Sequence, residues 1–418
     1  MRALLLSHSD GGGGAARAAY RLQQALVASG VDSTMHVDFK DTDDPRVRRN
    51  AGALADVARR LRISIEEIPA VIARHPSPRL FSPGLMSAIS ARRINATGVD
   101  IVNAHWTNFG YLSIGQIGRI TKPFVWTLHD MWAFTGGLNY APDDAAAPWR
   151  SGYTGNAGAH TTGRWDVERW VWRRKHKHWK HPLRIITPSD WLASLAQQSG
   201  LLADSRVWVI PNALDTAGFR PYPRSVAREF HGLPPDATIV LFGLANDLED
   251  PRKGWDLLKA ALLHARSLHP DVELAVMGPQ RPPVEWSQEL PKAHWLGRLS
   301  DDMSLAMAYS AADMTIVPSR QDNLPQVGTE AQACGCPVIA FQVSGLSDVV
   351  AHEMTGYLAP DLSPRSLSNA ITNALNDRDR LRNMGLAARE RAVSLWSPDV
   401  VARKYHVVYQ EVIDLTRR

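Results

Sequence analysis

Residues 314–341 read MTIVPSRQDNLPQVGTEAQACGCPVIAF, and this stretch decides the fold. Met314 to Val317 is a short apolar run of the kind that forms a buried strand. Pro318-Ser319-Arg320 interrupts it. Pro325 suits the first turn of a helix, where a missing N–H costs nothing, and an apolar helix runs from there to near Cys334. Gly335 ends that helix, and Val338 to Phe341 is a second buried strand. Strand, helix and strand in close succession make a parallel βαβ unit, because parallel neighbours need a crossover.

The same alternation extends in both directions. Upstream lie strands at Thr238 to Gly243 and Glu273 to Gly278. At the N-terminus Ala3 to Leu6 reads as a strand, followed by Gly11 to Gly14. A helix from Ala15 to Ser29 carries Ala18, Leu22 and Leu26 on one face, and Val31 to Asp38 is the next strand. Ile101 to Ala104, Phe124 to Thr127 and Ile185 to Thr187 continue the series. With 418 residues, the chain exceeds what one core usually supports. The turn at Ile210-Pro211-Asn212-Ala213 and the low-periodicity sequence to about Pro235 mark an inter-domain linker. The reading is therefore α/β with two domains, 1–212 and 213–397.

Composition is that of a globular protein, 44% hydrophobic and 21% charged. Cys334 and Cys336 are too few for a disulfide framework or a four-ligand zinc site, which fits a reducing, cytoplasmic compartment. The apolar run at the N-terminus is too short for a signal peptide. No run of about 18 apolar residues spans a membrane. Net charge is +5 with pI about 9.2, which suits anionic partners without choosing among nucleotides, lipids and nucleic acid.

The strongest chemical signal is Asp322-Asn323-Leu324-Pro325-Gln326-Val327-Gly328-Thr329-Glu330. Amides of residues 324 to 327 at a helix start form an anion site. Asp322 lies before the helix and Glu330 two turns into it, so both carboxylates can face one nucleotide sugar. On spacing alone, a helix with an acidic N-terminus stabilised by its dipole is the favoured reading.

Asp322-x7-Glu330 followed by Ala-x-Ala-Cys-Gly-Cys-Pro-Val-Ile-Ala resembles the E-x7-E signature of retaining glycosyltransferases of family 4. Several other segments carry the same resemblance in the same order: Ile210-Pro211-Asn212-Ala213-Leu214-Asp215, Arg252-Lys253-Gly254, Ala312-Asp313 with Val317-Pro318-Ser319, and the turns at Ser344-Gly345-Leu346 and Thr355-Gly356-Tyr357-Leu358. The resemblance implies the GT-B fold, two Rossmann-like domains facing across a cleft. It implies that the last helix, 398–418, crosses back onto the first domain, which holds the acceptor, while the second holds the donor.

It also implies roles. Glu330 holds the ribose, and Asp322 sits near the donor sugar. Lys253 with Arg252 neutralises the diphosphate, the amides at Leu324 to Val327 cap it, and Asn323, Leu324, Pro325, Gln326 and Val327 all count as donor-binding. The chain departs from the family in having Asp322 where Glu is usual, and Asp247 where many members carry arginine. Gly13 and Gly14, within Gly11 to Gly14, resemble the family's glycine-rich loop, where small residues let backbone approach a phosphate or sugar. Trp126-Thr127-Leu128-His129-Asp130 resembles its T-x-H-D segment and places His129 beside the donor sugar. As a lone residue, His129 reads more simply as a structural histidine. Thr135-Gly136-Gly137-Leu138-Asn139-Tyr140 resembles the colanic-acid and exopolysaccharide assembly subgroup, without that subgroup's nearby cysteines.

Residues 138 to 164 read as one long loop. Trp165, Trp172 and Trp179 then share a helical face amid Arg169, Arg173, Arg174, Lys175, Lys177 and Lys180. A core-facing aromatic stripe with a solvated basic back is the plainer reading. Contact with an anionic membrane surface, placing the protein peripherally at the inner membrane, is the functional one. Nucleic acid is not expected, since no recognised motif accompanies the charge.

The expected function is metal-independent transfer from a UDP- or GDP-sugar to a glycan or polyprenyl-linked acceptor in surface polysaccharide assembly, with no cofactor. Asp143-Asp144 and Asp301-Asp302 do not form a D-x-D-like metal motif. The alternatives are a sugar-nucleotide 2-epimerase, a non-catalytic nucleotide-sugar-binding protein and, on the loose glycine run, a nicotinamide oxidoreductase.

Overall fold

The computed structural model describes residues 1–50, 52–77, 81–154, 165–243, 250–278 and 291–417. Two compact units emerge: Met1–Ala213 with Val401–Arg418, and Leu214–Val400. Asp247 and much of the loop before Trp165 lie outside the described residues.

The first unit holds β1 (Arg2–Leu6), β2 (Asp32–Val37), β3 (Val47–Arg49), β4 (Ile101–Ala104), β5 (Phe124–Thr127), β6 (Arg184–Thr187) and β7 (Arg206–Val209). They form one parallel sheet in the order β3-β2-β1-β4-β5-β6-β7. Leu5 pairs with Met35 on one side and Asn103 on the other. The chain order reverses between β1 and β4, the switch point of a Rossmann sheet.

The second unit holds β8 (Thr238–Gly243), β9 (Val272–Met277), β10 (Ala293–Gly297), β11 (Met314–Val317), β12 (Val338–Phe341) and β13 (Gly356–Ala359). Its parallel order is β10-β9-β8-β11-β12-β13, with the switch between β8 and β11. Continuous apolar runs such as Met314–Val317 are buried throughout, as strands covered by helices on both faces require.

Four strands escape the sequence pattern: β3, β7, β10 and β13. Three are short or half-exposed, so no apolar run marks them. The fourth, at Gly356, reads as a turn but is a strand. Gly356 has φ +155, and a Cβ there would lie 1.9 Å from the Val338 carbonyl oxygen. The glycine permits close strand approach rather than a bend.

The sequence to Pro235 is not an open linker either. It holds the helix Arg224–Phe230, and Leu214, Phe219, Ala227 and Leu233 enter the second unit's core. Arg228 donates to the Ala311 carbonyl at 3.1 Å and pairs with Asp313 at 2.9 Å. Periodicity missed this segment because its anchors are spaced by turns.

The helix Pro398–Arg417 packs on the first unit's sheet. Val401, Tyr405, Val408 and Val412 are buried, Asn103 donates to the Tyr409 hydroxyl at 2.8 Å, and the Tyr405 hydroxyl lies 3.2 Å from Thr127 Oγ1.

Candidate functional site

In the second unit, three loops converge at the carboxyl ends of β8 and β11. The first is the turn Pro251–Lys253 with Gly254. Gly254 has φ +67, and a Cβ there would sit 1.9 Å from the Pro318 carbonyl oxygen, so only glycine fits. Arg320 locks this loop to the loop after β11: its guanidinium bonds the Pro251 carbonyl at 2.6 Å and grips Asp256 with both nitrogens, at 2.7 and 2.6 Å. The third loop, at Ser344-Gly345, bonds back to Asp322. The Asp322 amide donates to Ser344 Oγ at 3.0 Å, and the Gly345 amide donates to the Asp322 carbonyl at 2.9 Å.

The result is a charged cluster. Lys253 Nζ lies 2.6 Å from Asp322 Oδ2, and Arg252 Nη1 lies 3.8 Å from the same oxygen. Arg252 also pairs with Asp250 at 3.0 Å and donates to the Gln321 carbonyl at 3.2 Å. Burial raises the Asp322 carboxyl's pKa. The nearby charges of Lys253 and Arg252, with hydrogen bonds from Lys253 and the Asn323 amide, outweigh burial and hold the carboxyl below its ordinary value. Asp322 is therefore an anion at neutral pH, clamped between two cations.

The helix that follows runs Gln326–Ala333, with Pro325 as its N-cap rather than in its first turn. Glu330 is thus a little over one turn in, not two. It is 2% exposed and accepts a hydrogen bond from the Tyr309 hydroxyl at 3.1 Å. Leu324 turns into the core, and Val327 packs beside it. Any role of Leu324 in anion binding falls to its backbone. Asn323 is buried, its carbonyl covered by Gly345; a Cβ at 345 would fall 1.3 Å from that oxygen. The structure therefore brings Arg252, Lys253, Asp322 and the helix start together, with Glu330 buried behind them. The sequence reading missed Tyr309. Its only signal is that it is the lone aromatic residue of the helix Asp302–Ala311.

In the first unit, the helix Gly14–Ala28 begins at the carboxyl end of β1, with Gly13 as its N-cap and no side-chain cap. The four glycines differ. Gly12 has φ +77, and a Cβ at Gly11 would meet Asp41 Oδ2 at 2.8 Å. A Cβ at Gly13 or Gly14 would meet nothing within 4 Å.

His129 and His105 each follow a strand end, and the structure pairs them. His105 Nδ1 lies 3.0 Å from His129 Nε2, with the rings stacked at 5.3 Å. Burial pushes the pKa of His129 down to about 4 and that of His105 well below its ordinary value. Both are neutral at pH 7, so neither brings a positive charge to a phosphate. They line a small pocket with Trp106, Thr107 and Asp130. Asp130 accepts from Trp106 Nε1 at 2.8 Å and the Trp132 amide at 2.9 Å, which fixes the loop. The acidic pairs also have local roles: Asp301 caps the helix Asp302–Ala311, and Asp144 accepts from the Ala146 amide. Among the described residues no cluster of metal-ligating side chains occurs.

The aromatic stripe faces inward. Trp165, Trp170, Trp172 and Trp179 pack on the first unit's core. Lys175 is fully buried, donates to the carbonyls of Trp132 and Thr135, and sits over the Trp132 ring. Burial lowers its pKa well below the usual value. Arg174 donates to the Pro83 carbonyl at 2.8 Å. Arg173, Lys177 and Lys180 remain exposed on the helix Val167–His178 and just beyond it. Among the described residues no helix is long and apolar enough to cross a membrane.

Comparison with known proteins matches these features. Residues 12–217 fit the family model described as Glycosyltransferase Family 4, and residues 237–377 fit the model described as Glycosyl transferases group 1. A D-inositol 3-phosphate glycosyltransferase of Jonesia denitrificans is 28% identical over 328 residues, covering 75% of this chain and 71% of that protein. One of the same name from Segniliparus rotundus is 34% identical, but the match spans only 49% of this chain and 48% of that protein. The solved sucrose-phosphate synthase of Thermosynechococcus elongatus superposes with a TM-score of 0.68 at 23% identity over 99% of both chains. Anabaena HepE in complex with UDP and glucose gives 0.63 at 16% identity, over 98% of this chain and 99% of that one. The two family models follow each other along most of the chain, and both Rossmann-like sheets are in place: the chain belongs to glycosyltransferase family 4 and has the GT-B fold.

Proposed function

We propose that the chain transfers a sugar, with retention and without a metal ion, from a nucleoside-diphosphate sugar of the UDP or GDP type. The observation that carries this reading is the Arg252–Lys253–Asp322 cluster at the start of the helix Gln326–Ala333. The leaving group of such a transfer is a nucleoside diphosphate whose charge grows in the transition state, and fixed cations stabilise that charge. Lys253 is held by Asp322 until a diphosphate competes for it. Asp322 then stands near the sugar carbon, and Glu330 accepts from the ribose hydroxyls. Gly13 and Gly14 fit the same reading. Among the described residues nothing lies within 4 Å of a Cβ at either position, and a phosphate or sugar approaching the backbone requires that space. His129, neutral and paired with His105, positions the sugar rather than acting as a base.

For the acceptor we propose a glycan or polyprenyl-linked sugar in bacterial surface polysaccharide assembly. The Thr135–Tyr140 resemblance supports this reading. The named relatives favour a second: they glycosylate an inositol phosphate, which makes a phosphorylated polyol the competing acceptor class.

Glu330→Ala tests the site. Nucleoside-diphosphate release in the presence of acceptor should be abolished while the melting temperature shows a folded protein. Retained turnover removes Glu330 from the site. A thermal-shift series with UDP, GDP, ADP, CMP and NAD, without metal, names the donor base. Stabilisation by NAD alone argues for an oxidoreductase instead. Release of diphosphate with an inositol phosphate but not with lipid-linked sugars decides for the second acceptor class.

A further inference from the structure

The helix Ala53–Ile72 in the first unit is inverted relative to an ordinary surface helix. Its inner face buries charged side chains beside the small core residue Ala70. Arg62 grips both Asp38 oxygens, at 2.7 and 2.9 Å, and the buried Glu66 carboxylate accepts from the amides of Gly84, Leu85 and Met86. Its outer face is aliphatic. Val57, Leu61, Ile65, Ile68 and Ile72 are 56%, 59%, 37%, 48% and 65% exposed. At 100° per residue these five fall within an arc of about 80° and run about 22 Å along the axis. Scattered exposed aliphatics are normal on a surface, but an unbroken stripe marks a contact.

Charge indicates what the stripe contacts. The first unit has 30 Lys and Arg against 19 Asp and Glu, a net +11, whereas the second has 17 against 23, a net −6. Exposed arginines flank the helix: Arg60 beside the stripe, Arg48 on the preceding strand and Arg74 just past its end. Asp56 is paired with Arg59 at 2.9 Å and Arg49 at 3.4 Å, and it and Glu67 lie off the stripe. A second copy docking stripe to stripe would bring two units of the same strong positive charge together. A layer of anionic headgroups relieves that charge, and an apolar layer beneath it takes the aliphatics.

We infer that the helix Ala53–Ile72 is a membrane-surface element that seats the first unit on anionic phospholipid. This moves the lipid contact away from the Trp165–Lys180 segment, whose tryptophans are committed to the core. The inference is independent of which donor or acceptor the enzyme uses.

Sedimentation of the full chain with vesicles tests it. One set is phosphatidylcholine alone, and the other contains about one third phosphatidylglycerol. The protein should partition to the anionic vesicles, and less so in high salt. Leu61→Ser with Ile68→Ser should lower that partition roughly tenfold or more, since two exposed aliphatics are lost from the buried face. Its melting temperature should not change, because neither side chain serves the core. Lys177→Glu with Lys180→Glu should bind nearly as the parent does. Three results overturn the inference: no binding to anionic vesicles, equal binding by the Leu61/Ile68 variant, or a parent dimer in solution that this variant dissolves. The last would assign the stripe to a second copy.

Discussion

Replacing Lys253 by alanine separates the pairing with Asp322 that the structure shows from the contact with the leaving diphosphate that we propose. Lys253 Nζ is 2.6 Å from Asp322 Oδ2, and its side chain is 30% exposed. At an effective dielectric near 20, the gross attraction is about 6 kcal/mol. Most of it offsets the cost of burying Asp322, and Arg252 at 3.8 Å remains to share the carboxylate in the variant. We therefore expect a net loss of about 1–3 kcal/mol, below the range for a fully buried pair. In a unit of this size that corresponds to a melting-temperature drop of roughly 3–10 °C. The pH dependence has a definite sign. The folded pKa of Asp322 is depressed, so its contribution is complete above the ordinary carboxylate range and disappears as pH falls through the folded value. Without Lys253 the folded pKa moves up, and acid unfolding should begin at higher pH. Catalysis should suffer more. Loss of a fixed charge on the leaving group should cost about 10²–10³ in kcat, or 3–4 kcal/mol. The assay is nucleoside-diphosphate release at saturating donor, beside thermal unfolding from pH 3 to 8. Lys253→Arg, which keeps the charge in a different geometry, should restore stability more fully than rate. If Lys253→Ala keeps kcat within about threefold of the parent, the lysine does not meet the leaving group and the site reasoning fails.

Gly345→Ala should be severe, because its methyl would stand 1.3 Å from the Asn323 carbonyl oxygen and must displace the loop carrying Asp322. A loss of about 3 kcal/mol or more is expected by denaturant titration, and an unchanged midpoint would refute the close approach. Gly14→Ala should do the opposite. It meets no atom within 4 Å and lies in a helix, so the melting temperature should hold or rise slightly while KM for one substrate increases. The buried histidines predict acid sensitivity of the first unit. The pKa values of His8 and His129 are lowered to about 4, chiefly by burial, so both stay neutral when folded and bind a proton when unfolded below pH 6.5. Stability is complete above 6.5 and falls as pH drops from there toward 4, and His129→Asn should flatten that slope in thermal scans at successive pH values.

Family resemblance carried the sequence reading further than spacing did. Spacing alone favoured a dipole-stabilised helix at Asp322–Glu330, because a capped helix and an anion site use the same residues. Apolar runs located most of the strands, including both that flank the helix Gln326–Ala333, since a strand buried on both faces has to be hydrophobic along its length. They missed β13, where Gly356 looks like punctuation, and β10, which is half-exposed. The tryptophan periodicity was legible, but not which way the stripe faced. Lys175 sits among those basic residues and is nevertheless buried, its ammonium over the Trp132 ring.

The sequence by itself determined the alternation of strands and helices, the turns that punctuate them, and the charged residue types at 252, 253, 322 and 330. These follow from local rules: hydrophobic period, turn chemistry and charge. The tertiary structure alone decided that Lys253 meets Asp322, that Glu330 meets Tyr309, that His105 meets His129, and that the helix Ala53–Ile72 turns its aliphatics outward. Contacts between residues tens of positions apart are set by which strand ends and helices the sheet order makes neighbours. A helix's hydrophobic period fixes that it has an apolar face, but only its neighbours fix whether that face is covered.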